Sequence, residues 1–106
     1  MASITIKAAA RSDLVAHFVY LAENAGPDIA DRFLANAESS FNELANQPLI
    51  GAPVPLRDPR LADMRKWRVL NFDKFLIFYV PRDDAVSIIR VLHSAQDWWT
   101  LLETTS

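Results

Sequence analysis

Cysteine is absent from this chain of 106 residues, which excludes a disulfide framework, a thiolate metal site and a cysteine nucleophile. Histidine is scarce. With only His17 and His93, a histidine-built metal site lacks ligands, and no metal or cofactor is expected. No apolar run approaches the roughly 20 residues that cross a bilayer. The opening MASITIKAAAR has no long apolar centre of the kind a secretion signal carries. A cytoplasmic protein without membrane contact is therefore expected. A basic excess is also lacking, since 11 Lys and Arg stand against 13 Asp and Glu. Strong direct binding of nucleic acid through phosphates is not expected from that balance. There are no repeats and no low-complexity segments.

Apolar residues are plentiful, at 51% with a mean hydropathy of +0.06. That composition and length predict one globular domain over residues 1–106. Charge is uneven along it. Residues 1–52 hold three basic and six acidic side chains, and residues 53–106 hold eight and seven. The dense basic stretch is Arg57 to Lys74, where six cations face three aspartates. A solvated strand face accounts for most of it.

Ile4-Thr5-Ile6 reads as a short strand. Ser12 is placed as the N-cap of a first helix, whose apolar positions Leu14, Phe18, Leu21 and Ala22 recur at helical spacing until Gly26-Pro27. A second helix starts near Pro27 with the stripe Ile29, Phe33, Ala37, Phe41 and Leu44, and Asn46-Gln47-Pro48 stops it. Four prolines between 48 and 60 indicate a stiff connecting loop. Met64 to Leu70 alternates as a half-solvated strand. Phe75 to Val80 is six apolar residues in a row, a strand buried on both faces. Pro81-Arg82-Asp83-Asp84 turns it into a partner strand over 85–92, and Ala95 to Glu103 forms a short amphipathic helix. The predicted fold class is α+β: an N-terminal strand, a two-helix hairpin packed on a mainly antiparallel sheet ending in a three-stranded meander, and a short C-terminal helix.

Candidate functional residues cluster late in the chain. Arg90 and His93 sit where the last strand leaves the sheet, as an anion-binding or acid/base pair, or with Arg90 paired to Asp97 or another acid and His93 bonded at a strand end. Trp98 and Trp99 are about 100° apart on a helix, which predicts one buried and one partly exposed as a partner anchor. The basic stretch Arg65-Lys66-Trp67-Arg68, with Trp67 as its apolar centre, can contact DNA or an acidic protein face, or guard a strand near the sheet edge. Tyr79 lies in the buried strand as a core tyrosine with its hydroxyl at the rim, and His17 is structural. The helix hairpin covers one face of strand 75–80. The other needs a cover: the chain's own tail, a second copy or a partner.

Ser12-Asp13-Leu14, Tyr20-Leu21-Ala22 before Gly26, and Leu44-Ala45-Asn46-Gln47-Pro48 before Gly51 form an ordered series. Met64-Arg65-Lys66-Trp67, Phe75-Leu76-Ile77-Phe78-Tyr79, and Arg90-Val91-Leu92-His93 with Asp97-Trp98 complete it. Over residues 4–102 this series resembles the ParE branch of the RelE/ParE superfamily of bacterial type II toxin–antitoxin systems. The resemblance implies a toxin that poisons DNA gyrase by binding, serves in plasmid stabilization, and is neutralised by a ParD-like antitoxin of the ribbon-helix-helix type. Under that reading the candidate target contacts are the residues singled out above, Arg65, Arg68, Arg90, His93, Trp98 and Trp99. Antitoxin contacts are expected at Trp67, Leu70, Ile77 and Tyr79, along a groove on the uncovered sheet face.

The RelE branch cuts messenger RNA at the ribosome and carries an arginine in the central strand and a basic tail with a tyrosine. Here Leu76 and the tail Ser94-Ala95-Gln96-Asp97-Trp98-Trp99 stand instead, which favours the gyrase reading. Two alternatives stay open. One is a ribosome-dependent endoribonuclease in which His93 or Arg90 is essential. The other is a non-toxic antitoxin-binding module of the same fold.

Overall fold

The computed structural model describes residues 2–103. Strand β1 (Ser3–Ile6) leads into helix α1 (Ala8–Asn24) and then α2 (Pro27–Asn46). Two paired residues, β2 (Ala52–Pro53), and a 3-10 turn (Pro59–Leu61) precede β3 (Arg65–Val69), β4 (Phe72–Arg82) and β5 (Ala85–His93). Helix α3 (Trp98–Glu103) follows. The sheet order is β1-β5-β4-β3-β2, with β1 parallel to β5 and every other pair antiparallel. The α+β architecture expected from periodicity is the one found. Among the described residues, no helix is long and apolar enough to cross a membrane.

Helix α1 starts earlier than Ser12. Its N-cap is Lys7, in extended backbone and without a side-chain capping bond. Ala8-Ala9-Ala10, the strongest helix former three times over, draws the helix back to the end of β1. Gly26 ends the hairpin turn at φ 103°, a conformation glycine adopts without cost, and Pro27 opens α2 where its missing N–H is harmless. Phe33, Ala37, Phe41 and Leu44 are buried as the stripe requires. Ile29 is only half-buried, and Ala30 takes the core position.

In the meander, Asn71 (φ 65°) and Asp83 (φ 37°) make the two turns, as short polar residues tolerant of left-handed backbone. Strand β4 is longer than the apolar run, because Phe72 already pairs with Val69, and Pro81 and Arg82 pair with Val86 and Ala85. Pro81 is accommodated because β3 begins opposite Tyr79 and does not run beside it. A bulge lies opposite the step from Phe78 to Tyr79, which pair with Arg90 and Ile88 and leave Ile89 as an extra residue. Ile88 and Val91 therefore both face the helices although three positions apart.

Two apolar cores result. Ile77, Tyr79, Val86, Ile88 and Val91 meet α2 through Phe33 and Phe41 on the helix side. On the far side, Phe78, Val80, Ile89 and Leu92 are covered by Val54, Leu61 and Met64 from the proline-rich connection and by Leu102 of α3. That cover corrects one expectation. Ile77 and Tyr79 are fully buried against the helices. Over Phe78 and Leu92 the chain's own loop and tail occupy the place where an open antitoxin groove on the far face was expected.

The loop is held by Tyr79, whose hydroxyl donates to the Pro48 carbonyl at 2.7 Å and accepts from the Gly51 N–H at 2.9 Å. Burial pushes the Tyr79 phenol above its ordinary range. A Cβ on Gly51 would lie 2.6 Å from the Tyr79 hydroxyl and 2.7 Å from the Lys66 carbonyl. Gly51→Ala is expected to lose about 1–3 kcal/mol by overpacking. Tyr79→Phe should lose about 1–3 kcal/mol by leaving two backbone groups unpaired. Urea unfolding of the two variants checks both, and a neutral result for either contradicts this tie.

Candidate functional site

Strand β1 ends opposite Ile88, so the remainder of β5 has no strand neighbour on that side. Helix α1 takes the strand's place. Val91 gives its N–H to Asp13 Oδ2 at 3.0 Å and accepts from His17 Nε2 at 2.7 Å. Asp13 and His17 are four apart and so share one helix face. The His17 ring meets Phe75 edge-on at 4.9 Å and Phe33 at 5.9 Å, which fixes its orientation. Arg90 grips the same carboxylate with two bonds, Nε to Oδ2 at 2.7 Å and Nη2 to Oδ1 at 2.9 Å. The side chains are 18% and 12% exposed, so water screens the pair weakly. Asp13 raises the Arg90 guanidinium above its ordinary value, against a smaller lowering by burial.

Arg90 is therefore a tie to α1, with Asp13 as its acid. His93 lies elsewhere. Its Nδ1 accepts from the Ala95 N–H at 3.0 Å, and its own N–H donates to Gln96 Oε1 at 2.7 Å. The two do not form a pair. Arg65 is also engaged, donating through Nη1 to the carbonyls of Leu49 and Gly51 at 3.1 and 2.7 Å. Glu43 of α2 accepts from Trp67 Nε1 at 2.9 Å and pairs with Arg68 at 3.4 Å. The Arg68 guanidinium sits 4.8 Å from the Trp67 ring centre. Leu70 is 39% exposed and anchored through its N–H to Ser40 Oγ. Arg68, Leu70 and His93 line one open cleft with Lys74 and Asp73.

The tail makes the second grouping. Trp98 tilts over Phe78 at 5.2 Å, and Trp99 meets it edge-on at 4.5 Å. Lys66 Nζ lies 5.1 Å above the Trp98 ring, a cation–π contact. Trp98 is half-buried and Trp99 is 55% exposed, so the two differ as helical geometry predicts although neither is fully buried. The bonds of His93 to Ala95 and Gln96, and Thr100 Oγ1 to Asp97 Oδ2 at 2.9 Å, hold the turn that aims α3. This surface can bind an apolar or mixed partner face. Among the described residues, no three His, Cys, Asp or Glu come together in a way that could hold a metal ion.

Sequence reasoning gave no role to Asp13 or Glu43, and took Lys66 only as part of the basic stretch Arg65-Lys66-Trp67-Arg68, not as the partner of Trp98. Alternation in β3 puts Lys66 on the Met64 side and was the available signal. The four-residue spacing of Asp13 and His17 hints at a shared face, but their target on β5 is 74 or more residues away. A further exposed apolar face also went unnoticed: Val15, Val19 and Tyr20 on α1 are 62%, 46% and 61% exposed.

A family model described as "ParE toxin of type II toxin-antitoxin system, parDE" matches residues 4–98. No curated protein matches. Among solved structures, a chain from the chromosomal ParDE toxin–antitoxin system of P. aeruginosa superimposes with a TM-score of 0.70 at 19% identity. The alignment covers 88% of this chain and 96% of that one.

Arg90→Ala should destabilise by roughly 3 kcal/mol, because it strands a carboxylate that is mostly buried. Combined with Asp13→Ala the loss should fall short of the sum by about 1–3 kcal/mol, read by denaturant unfolding in a double-mutant cycle. Additive losses would show that the two side chains act independently. Trp98→Ala should cost about 2–3 kcal/mol as a partly buried aromatic, and Trp99→Ala no more than about 0.5 kcal/mol.

Proposed function

This chain belongs to the ParE toxin family of type II toxin–antitoxin systems, and from that premise we propose that it poisons DNA gyrase by binding through its C-terminal surface. The observation that carries this reading is the division of labour among its charged and aromatic side chains. Arg65 and Arg90 are held by carbonyls and by Asp13, while Trp99 projects beside the Lys66–Trp98 pair with no structural duty of comparable weight. An exposed tryptophan next to a cation on a supported helix suits a protein partner. Arg68 and His93, in the adjoining cleft, extend the proposed target surface. Cleavage of RNA by 2′-OH attack needs a base, an acid and cations aimed at one phosphate. Arg90 and His93 do not converge in that way.

A cognate ParD-like antitoxin is proposed to neutralise the toxin. Two areas support its docking. Trp67 and Leu70 stay accessible at the seam of α2 and β3, and α1 exposes Val15 and Val19, one turn apart, with Tyr20 beside them. Apolar side chains grouped this way on a surface mark an interaction site. A gyrase target places the action in the bacterial cytoplasm.

The test is a supercoiling and DNA-cleavage assay of purified gyrase with the isolated protein, with a translation reaction in parallel. Accumulated cleaved DNA with intact translation is the expected result. Trp99→Ala should reduce the trapped complex about tenfold or more while leaving unfolding unchanged. Intact gyrase activity with messenger RNA cut at the ribosome would replace this reading with the endoribonuclease one. No effect in either reaction would favour the non-toxic binding module.

A further inference from the structure

A cavity of about 450 Å³ opens on the far face of the sheet, where β1 gives way to α1. Its floor is apolar, made by Leu61 and Ile89 of the far-face core. Its rim is cationic, with Lys7, Arg60 and Arg82 against a single acid, Asp58. Arg60 uses Nε and Nη2 on Asp58, leaving Nη1 outside that ion pair. Those bonds keep the Asp58 carboxyl below the usual carboxylate range, so it counts as one negative charge. Arg82 is fixed at the rim by a bond to the Arg60 carbonyl at 3.2 Å and by Asp63 at 3.6 Å. With Asp58 on Arg60 and Asp63 on Arg82, the three cations leave a local surplus of one positive charge, that of Lys7, in a chain whose net charge is −2. Ser87 adds a hydroxyl to the wall. The size lies within the range of small-molecule sites, and an apolar floor under a few polar groups is their usual make-up.

The geometry points to a binding site for a small organic anion, a phosphate monoester or carboxylate carried on a flat apolar body. The body rests on Leu61 and Ile89, and the charged oxygens lie between Lys7 and Arg60, where charge-assisted hydrogen bonds are available. The site shares no residue with the tail surface, so it stands apart from the gyrase reading.

An NMR titration of the ¹⁵N-labelled chain with phenyl phosphate tests it, with inorganic phosphate and benzoate in parallel. Saturable shifts centred on the amides of Lys7, Arg60 and Ser87 are expected. Lys7→Gln should weaken phenyl phosphate about tenfold, as loss of one charge-assisted bond implies, with an unchanged thermal midpoint. Ser87→Leu should obstruct the cavity and remove the shifts. Benzoate binding as tightly as phenyl phosphate assigns a carboxylate ligand, and weaker benzoate binding assigns a phosphate. Absence of saturation at millimolar phenyl phosphate, or equal affinity in both variants, overturns the proposal. So does inorganic phosphate binding as tightly as phenyl phosphate, because the apolar floor then contributes nothing.

Discussion

The carboxylate of Asp13 is the point on which the fold turns. Strand β1 is four residues long and β5 is nine, so part of β5 would present bare backbone to water or to another chain. Asp13 and His17 satisfy the N–H and C=O of Val91, and Arg90 neutralises the acid that the arrangement brings in. Because α1 is held to the sheet edge there, α2 follows through the Gly26 turn and lays Phe33 and Phe41 over β4 and β5. A polar clamp of this kind adds direction to apolar packing, which alone is indifferent to rotation of the helix.

Burial of β4 on both faces imposes the second constraint. The helices supply one cover and the Pro48–Met64 connection with α3 supplies the other. Keeping that connection in place engages Tyr79 and Arg65 through backbone groups of residues 48–51. Residues of types that often carry chemistry are thereby used as structural ties. The outer side of α3, with the strand residues beside it, stays exposed.

Elements governed by local pattern could be read from the sequence. The six-residue apolar run, the Asp83 turn, the Gly26-Pro27 break and the α2 stripe each follow from a period or a backbone preference within a few residues. Ser12 misled because a good capping side chain lost to three alanines preceding it. The Asp13–Arg90 pair was legible only as Arg90 seeking some acid, since its partner is 77 positions away and depends on how α1 crosses β5. The far-face groove failed for a similar reason. Hydrophobic residues scattered through a proline-rich loop carry no period, so Val54, Leu61 and Met64 gave no sign that together they form a lid. That Trp98 and Trp99 differ in exposure was readable from helix geometry, but which of the two is the more exposed was not, because that depends on how α3 packs on Phe78.

The chain is a ParE-family toxin whose C-terminal helix carries an exposed tryptophan, and the proposed function puts the target contact there. The claim that this contact lies on α3 and its neighbours is tested most directly by hydrogen exchange of the protein alone and bound to gyrase. Added protection concentrated in residues 96–103 and around Lys66 is the predicted result. A bound complex that leaves this segment unchanged and protects α1 or the Asp13–Arg90 edge instead would contradict it.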